Sequence, residues 1–404
     1  MNDNDARLSG RVRYLRQIGA LLWPGQQVTI GRERSGRPVR EYLLVPHARE
    51  PRLMLPAPRR AAAAAVMGFN KGRSRKAAAL SRVLWAALRS GAAGPLLRDR
   101  LRVYGDGSGI EAHLGRVLGR EVLMGLHVGP DRANRKPVAQ LLTPRGVTVG
   151  YAKIGFNPLT RELVRAERTA LEVLAERPLR TLRVPRAVHA GRWNDLEILV
   201  LEPLPVWNRQ VPLDRDRLHA AMREVAEAGG VERHRLTGGP YWKDLRERLD
   251  GLDGPQASGI RGALERLAAA HGDREVPLGA WHGDWTAWNM AVLADTMLVW
   301  DWERFTQGVP VGYDAVHFHM WDALTERGVE PRRAADEAVA AAPRLLASFG
   351  LDAPTSTVVA LLYLAELGTR YLIDRQDEAG AALGRLDTWL LPVLTDRTAR
   401  AAER

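Results

Sequence analysis

The chain has 404 residues, 46% of them apolar and 26% charged, a balance typical of a globular protein of two or three domains. It contains no cysteine, which excludes disulfides and thiolate metal sites and makes the cytoplasm the expected compartment. No stretch reads as the ~20 apolar residues of a membrane span, and the polar, acidic start Met1–Asp5 lacks the charged-then-apolar form of a signal peptide.

The net charge of +12 is unevenly distributed. Residues 1–105 hold 21 Lys/Arg against 6 Asp/Glu, a balance of +15, which leaves −3 for residues 106–404. A solvated face on an Arg-rich protein is the simplest account of such a block. Nucleic acid, an anionic membrane surface or an acidic partner are the others.

In chain order, Arg40–Val45 reads as a strand, with Leu53–Leu55 as its partner across the Pro46–Pro51 turn. A helix is predicted over 75–89, with Ala79, Leu80, Val83, Leu84, Ala87 and Leu88 on one side and Lys76, Arg82 and Arg89 on the other. The Gly91–Pro95 stretch ends that helix. Tyr104–Gly109 is a glycine-rich loop and is expected to mark a domain boundary. A short helix follows over 110–118. Strands are expected at 121–128, 137–142 and 147–154, as an antiparallel meander. Asn157 and Pro158 form a helix start, as N-cap and first helical residue, for a helix reaching about residue 176. Strands near 187–190 and 197–201 lead to Glu202–Pro205. Beyond Val206 the pattern is mostly helical, interrupted by a strand-loop-strand block over 281–303.

That block carries the chemistry. Trp281-His282-Gly283-Asp284-Trp285-Thr286-Ala287-Trp288-Asn289 has the pattern H-G-D-x-x-x-x-N. Apolar Met290–Leu293, a turn at Ala294–Thr296 and Met297–Glu303 follow. Two short strands joined by a tight turn bring the residue before the first beside the residue after the second. Asn289 and Asp301 then face one small volume. An amide oxygen and a carboxylate are hard ligands, suited to Mg²⁺ carrying a nucleotide's phosphates. Asp284, on the preceding loop, can accept a proton from an incoming hydroxyl. A second H-G-D, His271–Asp273, has Leu278 where the Asn should stand and reads as a surface turn.

On these residues the chain resembles the aminoglycoside phosphotransferase and choline kinase-like family of the protein-kinase-like fold. That family's motif is H-G-D-x-x-x-x-N followed by an apolar strand ending in a metal-binding Asp, often as D-W-E. The resemblance implies Asp284 as catalytic base, His282 as a structural member of the loop, and Asn289 and Asp301 as metal ligands, with Glu303 a neighbouring acid. It implies ATP and Mg²⁺ as cofactors. It also implies transfer of the γ-phosphate to a hydroxyl of a small molecule such as an aminoglycoside, amino alcohol or sugar.

Lys153 ends the strand 147–154, and Glu167 stands in an otherwise apolar helix row with Leu163, Ala170 and Leu174. A buried carboxylate needs a partner, and Lys153 is the natural one. In the family this pair holds the nucleotide phosphates. The segment 127–137, where a phosphate-covering loop is expected, has a single glycine. The segment 31–38 lacks both the Lys and the hydroxyl of a Walker A loop. Val200–Leu204 is the expected hinge, and its strand-end backbone could meet an adenine edge. Thr286 replaces the Lys of Ser/Thr protein kinases, and there is no D-F-G or A-P-E, which points to a small acceptor. Trp285, Trp288, Trp300, Trp302 and Trp321 could supply aromatic faces for it, although Trp300 is expected in the core. Asp314, Asp322 and Glu326 could meet a cationic one.

The expected fold class is α+β: a bilobal kinase-like fold with an additional basic α/β segment at the amino terminus. Residues 1–105 are expected to form an accessory domain, 106–204 a small lobe of antiparallel sheet and helix, and 205–404 a mainly helical large lobe. The rival reading is a pseudokinase or scaffold whose basic segment binds an anionic partner or membrane surface.

Overall fold

The computed structural model describes residues 9–34, 36–68, 75–94 and 97–402. Met1–Asp5, Ser35 and Pro95 lie outside these residues, as does the side chain of Lys76. The chain is α+β and divides into two units. Unit 1 takes in the chain up to Arg168 together with Pro185–Pro205, and unit 2 comprises Thr169–Val184 and the chain from Val206 onward.

Unit 1 is built on one nine-stranded sheet. Its elements begin with α1 (Gly10–Leu22), β1 (Gln27–Gly31), β2 (Arg40–Val45), β3 (Leu53–Pro56), α2 (Arg59–Gly68), α3 (Arg75–Ser90) and β4 (Arg100–Tyr104). They continue with α4 (Ile110–Leu118), β5 (Leu123–His127), β6 (Val138–Leu142), β7 (Thr148–Gly155) and the helix α5 (Pro158–Ala175), which runs on into unit 2. Beyond a short strand of unit 2, β8 (Leu182–Arg183), the sheet gains β9 (Ala187–Trp193) and β10 (Leu196–Leu201). The strand order is β1-β4-β2-β3-β5-β6-β7-β10-β9, antiparallel at every pairing.

Side chains alternate across this sheet, as strand geometry requires. Tyr42, Leu44 and Met54 join a core with Leu15, Ile18 and Leu22 of α1, with Trp23 just beyond it, and with Ile110 and Leu114 of α4. Their neighbours Leu43, Leu53 and Leu55 face the other way, into a core with Ala61, Ala62, Ala65 and Val66 of α2 and Leu88 of α3. Glu111 of α4 is buried; it accepts hydrogen bonds from Trp23 Nε1 at 2.9 Å and from the Tyr42 hydroxyl. Arg102, central in β4, is buried through its contact with Glu41 at 2.8 Å and the carbonyl of Glu33 at 2.7 Å.

This architecture corrects the division expected at residue 105. β3 pairs with β5 (Leu53 opposite His127, Met54 opposite Leu126), so the sheet continues straight through the supposed boundary. The basic segment supplies four of the nine strands and is part of the same core. The Tyr104–Gly109 loop is a turn from β4 into α4. The expected apolar side of α3 is also only half used: Leu88 is buried and Leu84 packs on the core, whereas Leu80 and Val83 are 71% and 66% exposed. The other strands and helices expected between 110 and 201 are present within a few residues of their predicted ends. Asn157 caps α5 as expected, accepting from Thr160 N–H at 2.8 Å.

Unit 2 is mainly helical. Besides β8 it contains α6 (Arg215–Glu227), β11 (Glu232–Arg235), α7 (Pro240–Asp250), α8 (Pro255–His271), β12 (Glu275–Trp281), β13 (Met290–Val292), β14 (Met297–Val299) and β15 (Thr306–Pro310). The helices α9 (Tyr313–Thr325), α10 (Pro331–Leu346), α11 (Ala353–Ile373) and α12 (Leu390–Ala402) complete it. Its strands form two three-stranded sheets, β11-β12-β15 and β13-β14-β8. α11 is long and apolar enough to cross a bilayer by length and composition, but nearly all its residues from Thr355 to Thr369 are buried within the protein, as in a core helix.

Candidate active site

The strand-loop-strand block forms as its sequence requires. β13 and β14 pair antiparallel, Met290 opposite Val299 and Val292 opposite Met297. The pairing extends one step outward, where Trp300 N–H donates to the Asn289 carbonyl at 3.0 Å. Asn289 and Asp301 are thereby held at the same end of the hairpin. Asp301 adopts a left-handed backbone (φ 73°, ψ 53°), uncommon for a non-glycine residue and characteristic of positions fixed for function. One of its carboxylate oxygens lies within 4.8 Å of one from Glu303.

Asn289 Nδ2 donates to the Asp284 backbone carbonyl at 2.9 Å and to Asp284 Oδ2 at 3.0 Å. Its amide nitrogen is thus committed to Asp284, and Oδ1 is the atom left to meet a cation. The available donors are all hard oxygens, from Asn289, Asp301 and Glu303, and they fit Mg²⁺.

His282 is fully buried and ties this loop together. Its Nδ1 accepts from Asp284 N–H at 3.1 Å, which leaves Nε2–H to donate to the Trp300 carbonyl at 3.0 Å. Burial pushes its pKa down to about 4, so the ring is neutral, as that bonding pattern needs. His282 therefore links the residues just before Asp284 to the residue just before Asp301, the structural role expected of it. Gly283 is required: its φ is +84°, and a Cβ there would sit 2.3 Å from the Arg304 carbonyl oxygen.

Asp314, His317 and Arg370 hold this loop from α9 and α11, and the sequence singled out neither His317 nor Arg370. Asp314, offered above as a contact for a cationic acceptor, is instead buried beneath the loop. It accepts from His282 N–H at 2.7 Å and Gly283 N–H at 3.2 Å. Burial raises its pKa to about 7, against the pull of those two hydrogen bonds. Arg370 donates to the Gly283 carbonyl at 2.7 Å. His317, fully buried, sets Nε2 3.4 Å from Asp284 Oδ1, while its Nδ1 lies 2.9 Å from the Tyr363 hydroxyl. Burial disfavours the charge on Asp284, but the His317 contact and the Arg370 charge outweigh it and hold its pKa below the ordinary carboxylate value. About one third of the Asp284 side chain remains exposed, enough for a substrate hydroxyl to reach it. Asp314 and His317 lie three residues apart, the spacing that puts two side chains on one helix face.

The aromatic residues divide by burial. Trp285 and Trp302 are fully buried, and their indole N–H groups bond within the block, to Met290 Sδ at 3.4 Å and to the Val299 carbonyl at 3.0 Å. They, rather than the half-buried Trp300, are the packing residues. Trp288 is 36% exposed and meets Trp321 edge to face at 5.8 Å; Trp321 in turn packs against His317 at 5.8 Å. Asp322 lies 3.7 Å from Arg327, and Glu326 is exposed. The second H-G-D occupies the end of α8 and the turn after it. Its Leu278 lies within β12, opposite Glu232, so no hairpin follows at the necessary spacing.

Unit 1 carries the other expected pair. Lys153 lies in β7, between Val138 of β6 and Leu199 of β10. Its Nζ meets Glu167 Oε1 of α5 at 2.6 Å, and both side chains are buried. The expected hinge, Val200–Leu204, begins with the last two residues of β10. Glu202 N–H donates to the Arg186 carbonyl at 2.9 Å, so that amide is engaged within the sheet.

Solved structures similar to this chain include aminoglycoside phosphotransferases and a choline/ethanolamine kinase family protein. A thermostable mutant of aminoglycoside phosphotransferase APH(4)-Ia superposes with a TM-score of 0.45 at 16% identity, covering 73% of this chain and 100% of that one. The GDP and kanamycin complex of APH(2")-IIIa gives 0.39 at 14% identity over 66% and 90%. A choline/ethanolamine kinase family protein from Mesorhizobium loti gives 0.37 at 16% identity over 68% and 92%. No protein-family model matches the chain, and no curated protein does.

Proposed function

We propose that this chain is an ATP- and Mg²⁺-dependent phosphotransferase that phosphorylates a hydroxyl of a small molecule. The observation that carries the reading is the joint geometry of Asp284, Asn289 and Asp301. One hairpin holds a hard-oxygen pair at its open end, and the amide of one member fixes the carboxylate that would receive the proton. Asp284 is an ionised acceptor at neutral pH, its pKa held low. It orients the substrate hydroxyl and takes its proton as that oxygen bonds to the γ-phosphorus and the bond from phosphorus to the bridging oxygen breaks, releasing ADP. Bound Mg²⁺ would neutralise charge on the phosphates, held by Asn289 and Asp301 with Glu303 beside them. Lys153, kept in place by Glu167, supplies the cation that this chemistry uses on the nucleotide phosphates. Trp288 and Trp321 favour an acceptor with a flat apolar or cationic face, such as a sugar ring or an amino alcohol.

The direct test is ADP release by the pure protein with Mg·ATP across a panel of aminoglycosides, amino alcohols and sugars. Acceptor-dependent turnover supports the reading. A protein that binds Mg·ATP but turns over no acceptor would favour the scaffold alternative.

Two variants probe the parts separately. Asp301→Ala removes the main negative charge opposing the metal, so magnesium-dependent ATP binding is expected to be lost in calorimetry. Unchanged affinity with and without magnesium would remove Asp301 from the site. His317→Ala removes the imidazole whose Nε2 lies 3.4 Å from the Asp284 carboxylate and is expected to lower kcat by about tenfold, the worth of roughly one pKa unit of charge stabilisation, with little change in KM for ATP. His317→Gln, which restores a donor, is expected to recover part of the loss. An unchanged kcat with a lower melting temperature would reduce His317 to packing.

A further inference from the structure

The outer surface of α2 and α3 is unlike any other described part of the chain. Between Glu50 and Asp99 there is not one acidic residue, while ten Lys/Arg fall in the same 48 positions. Among them Arg52, Arg59, Arg60, Arg82, Arg89 and Arg98 are exposed. The same surface also presents apolar side chains to water: Leu80 is 71% exposed, Val83 66%, Met67 45% and Trp85 36%. Leu88, with Leu84 and Ala87, fastens the C-terminal half of α3 to the core, while Leu80, one turn earlier on the same stripe, and Val83 at its edge lie beyond that contact and stay in water. Along α3, Leu80 and Val83 share one flank. Trp85 lies on the other with Arg82 and Arg89, and the Arg89 guanidinium sits 5.6 Å from its ring centre.

We propose that this face is a docking site for an anionic lipid bilayer. Exposed Leu and Val beside a Trp and a row of arginines form the amphipathic, basic surface that lies in a membrane interface. The apolar groups enter the acyl boundary, the indole sits at headgroup level and the guanidinium groups meet lipid phosphates. Nucleic acid would engage the arginines but leave Leu80 and Val83 in water, which the lipid boundary does not. The site is separate from the residues assigned to phosphoryl transfer, so it stands or falls independently of that assignment.

The test is cosedimentation of the full-length protein with vesicles of phosphatidylcholine alone and of phosphatidylcholine mixed with phosphatidylglycerol. Binding is expected to the anionic vesicles only and to weaken with added salt. Leu80→Glu combined with Val83→Glu, and separately Arg82→Glu combined with Arg89→Glu, should each lower partitioning by about tenfold or more. Thermal melts should stay near wild type, because all four side chains are exposed. Absence of binding at low salt would overturn the proposal, as would binding that neither double variant alters. Binding to duplex DNA or RNA without vesicle binding would assign the face to nucleic acid instead. Concentration-dependent dimers, abolished by the Leu80/Val83 double variant and unaccompanied by vesicle binding, would assign it to a second copy.

Discussion

Asp284→Asn is expected to reduce turnover with the best acceptor by about 10²–10⁴-fold, the usual worth of a positioned general base, while leaving Mg·ATP affinity nearly unchanged. The substitution is nearly isosteric, and the loop that carries it is held by other atoms. His282 bonds the backbone N–H of residue 284, Asn289 bonds its carbonyl, and Asp314 and Arg370 fix Gly283. What disappears is the charge. In the wild type, Asp284 is kept ionised below the ordinary carboxylate range by His317 and Arg370, so its protonation does not limit the rate near neutral pH. Steady-state kinetics and calorimetry with Mg·ATP separate the two quantities. A variant with full turnover would remove Asp284 from the chemistry; one that no longer binds nucleotide would make its role structural.

Removal of residues 1–105 is expected to abolish cooperative folding of unit 1. The cut deletes β1, β2, β3 and β4 and leaves β5 as a raw sheet edge. It strips Leu15, Ile18, Leu22, Trp23, Tyr42, Leu44, Met54, Leu101 and Val103 from a single core. At about 1.5–3 kcal/mol for each large side chain, these contributions exceed the net stability of about 5–15 kcal/mol of an ordinary domain. Glu111 would also lose both Trp23 and Tyr42, its partners in a buried site. Circular dichroism melts and solubility of a chain beginning at Asp106 measure the effect. A sharp melt together with wild-type Mg·ATP binding would mean that the first four strands are dispensable.

The difference between this expectation and the sequence reading has a physical origin. Charge changes sign near residue 105, and a glycine-rich loop lies at the same place, so composition suggests a boundary. Sheet pairing ignores composition. β4 reads Arg-Leu-Arg-Val-Tyr, and its Arg102 looks like a surface residue; only the contacts to Glu41 and the Glu33 carbonyl let it sit inside. α1 contains Gly10 and Gly19 and has a weakly apolar pattern, so its burial comes from tertiary packing rather than propensity. The hairpin over 281–303 was legible because its information is local: a motif, a tight turn and two short apolar runs within 23 positions. Lys153 and Glu167 were legible for a related reason, since a carboxylate in an apolar helix row demands a cation. His317, Arg370 and the role of Asp314 were not, because each acts from a distant helix on a backbone or side-chain atom that the motif does not reveal. The helical spacing of Asp314 and His317 was the one available hint.

The way the chain is threaded bears on how the protein is made. Neither unit is a continuous stretch. The chain leaves unit 1 within α5, returns at Pro185 and leaves again after Pro205. The excursion between carries β8, which pairs in parallel with β14: Leu182 with Met297 and Arg183 with Leu298. β14 ends two residues before Asp301. On a ribosome, β8 therefore emerges about 115 residues ahead of the strand it pairs with. Unit 1 gains its last strand, β10, within that interval. The hairpin bearing Asn289 and Asp301 therefore completes its sheet on a strand that was delivered early and has to wait for it.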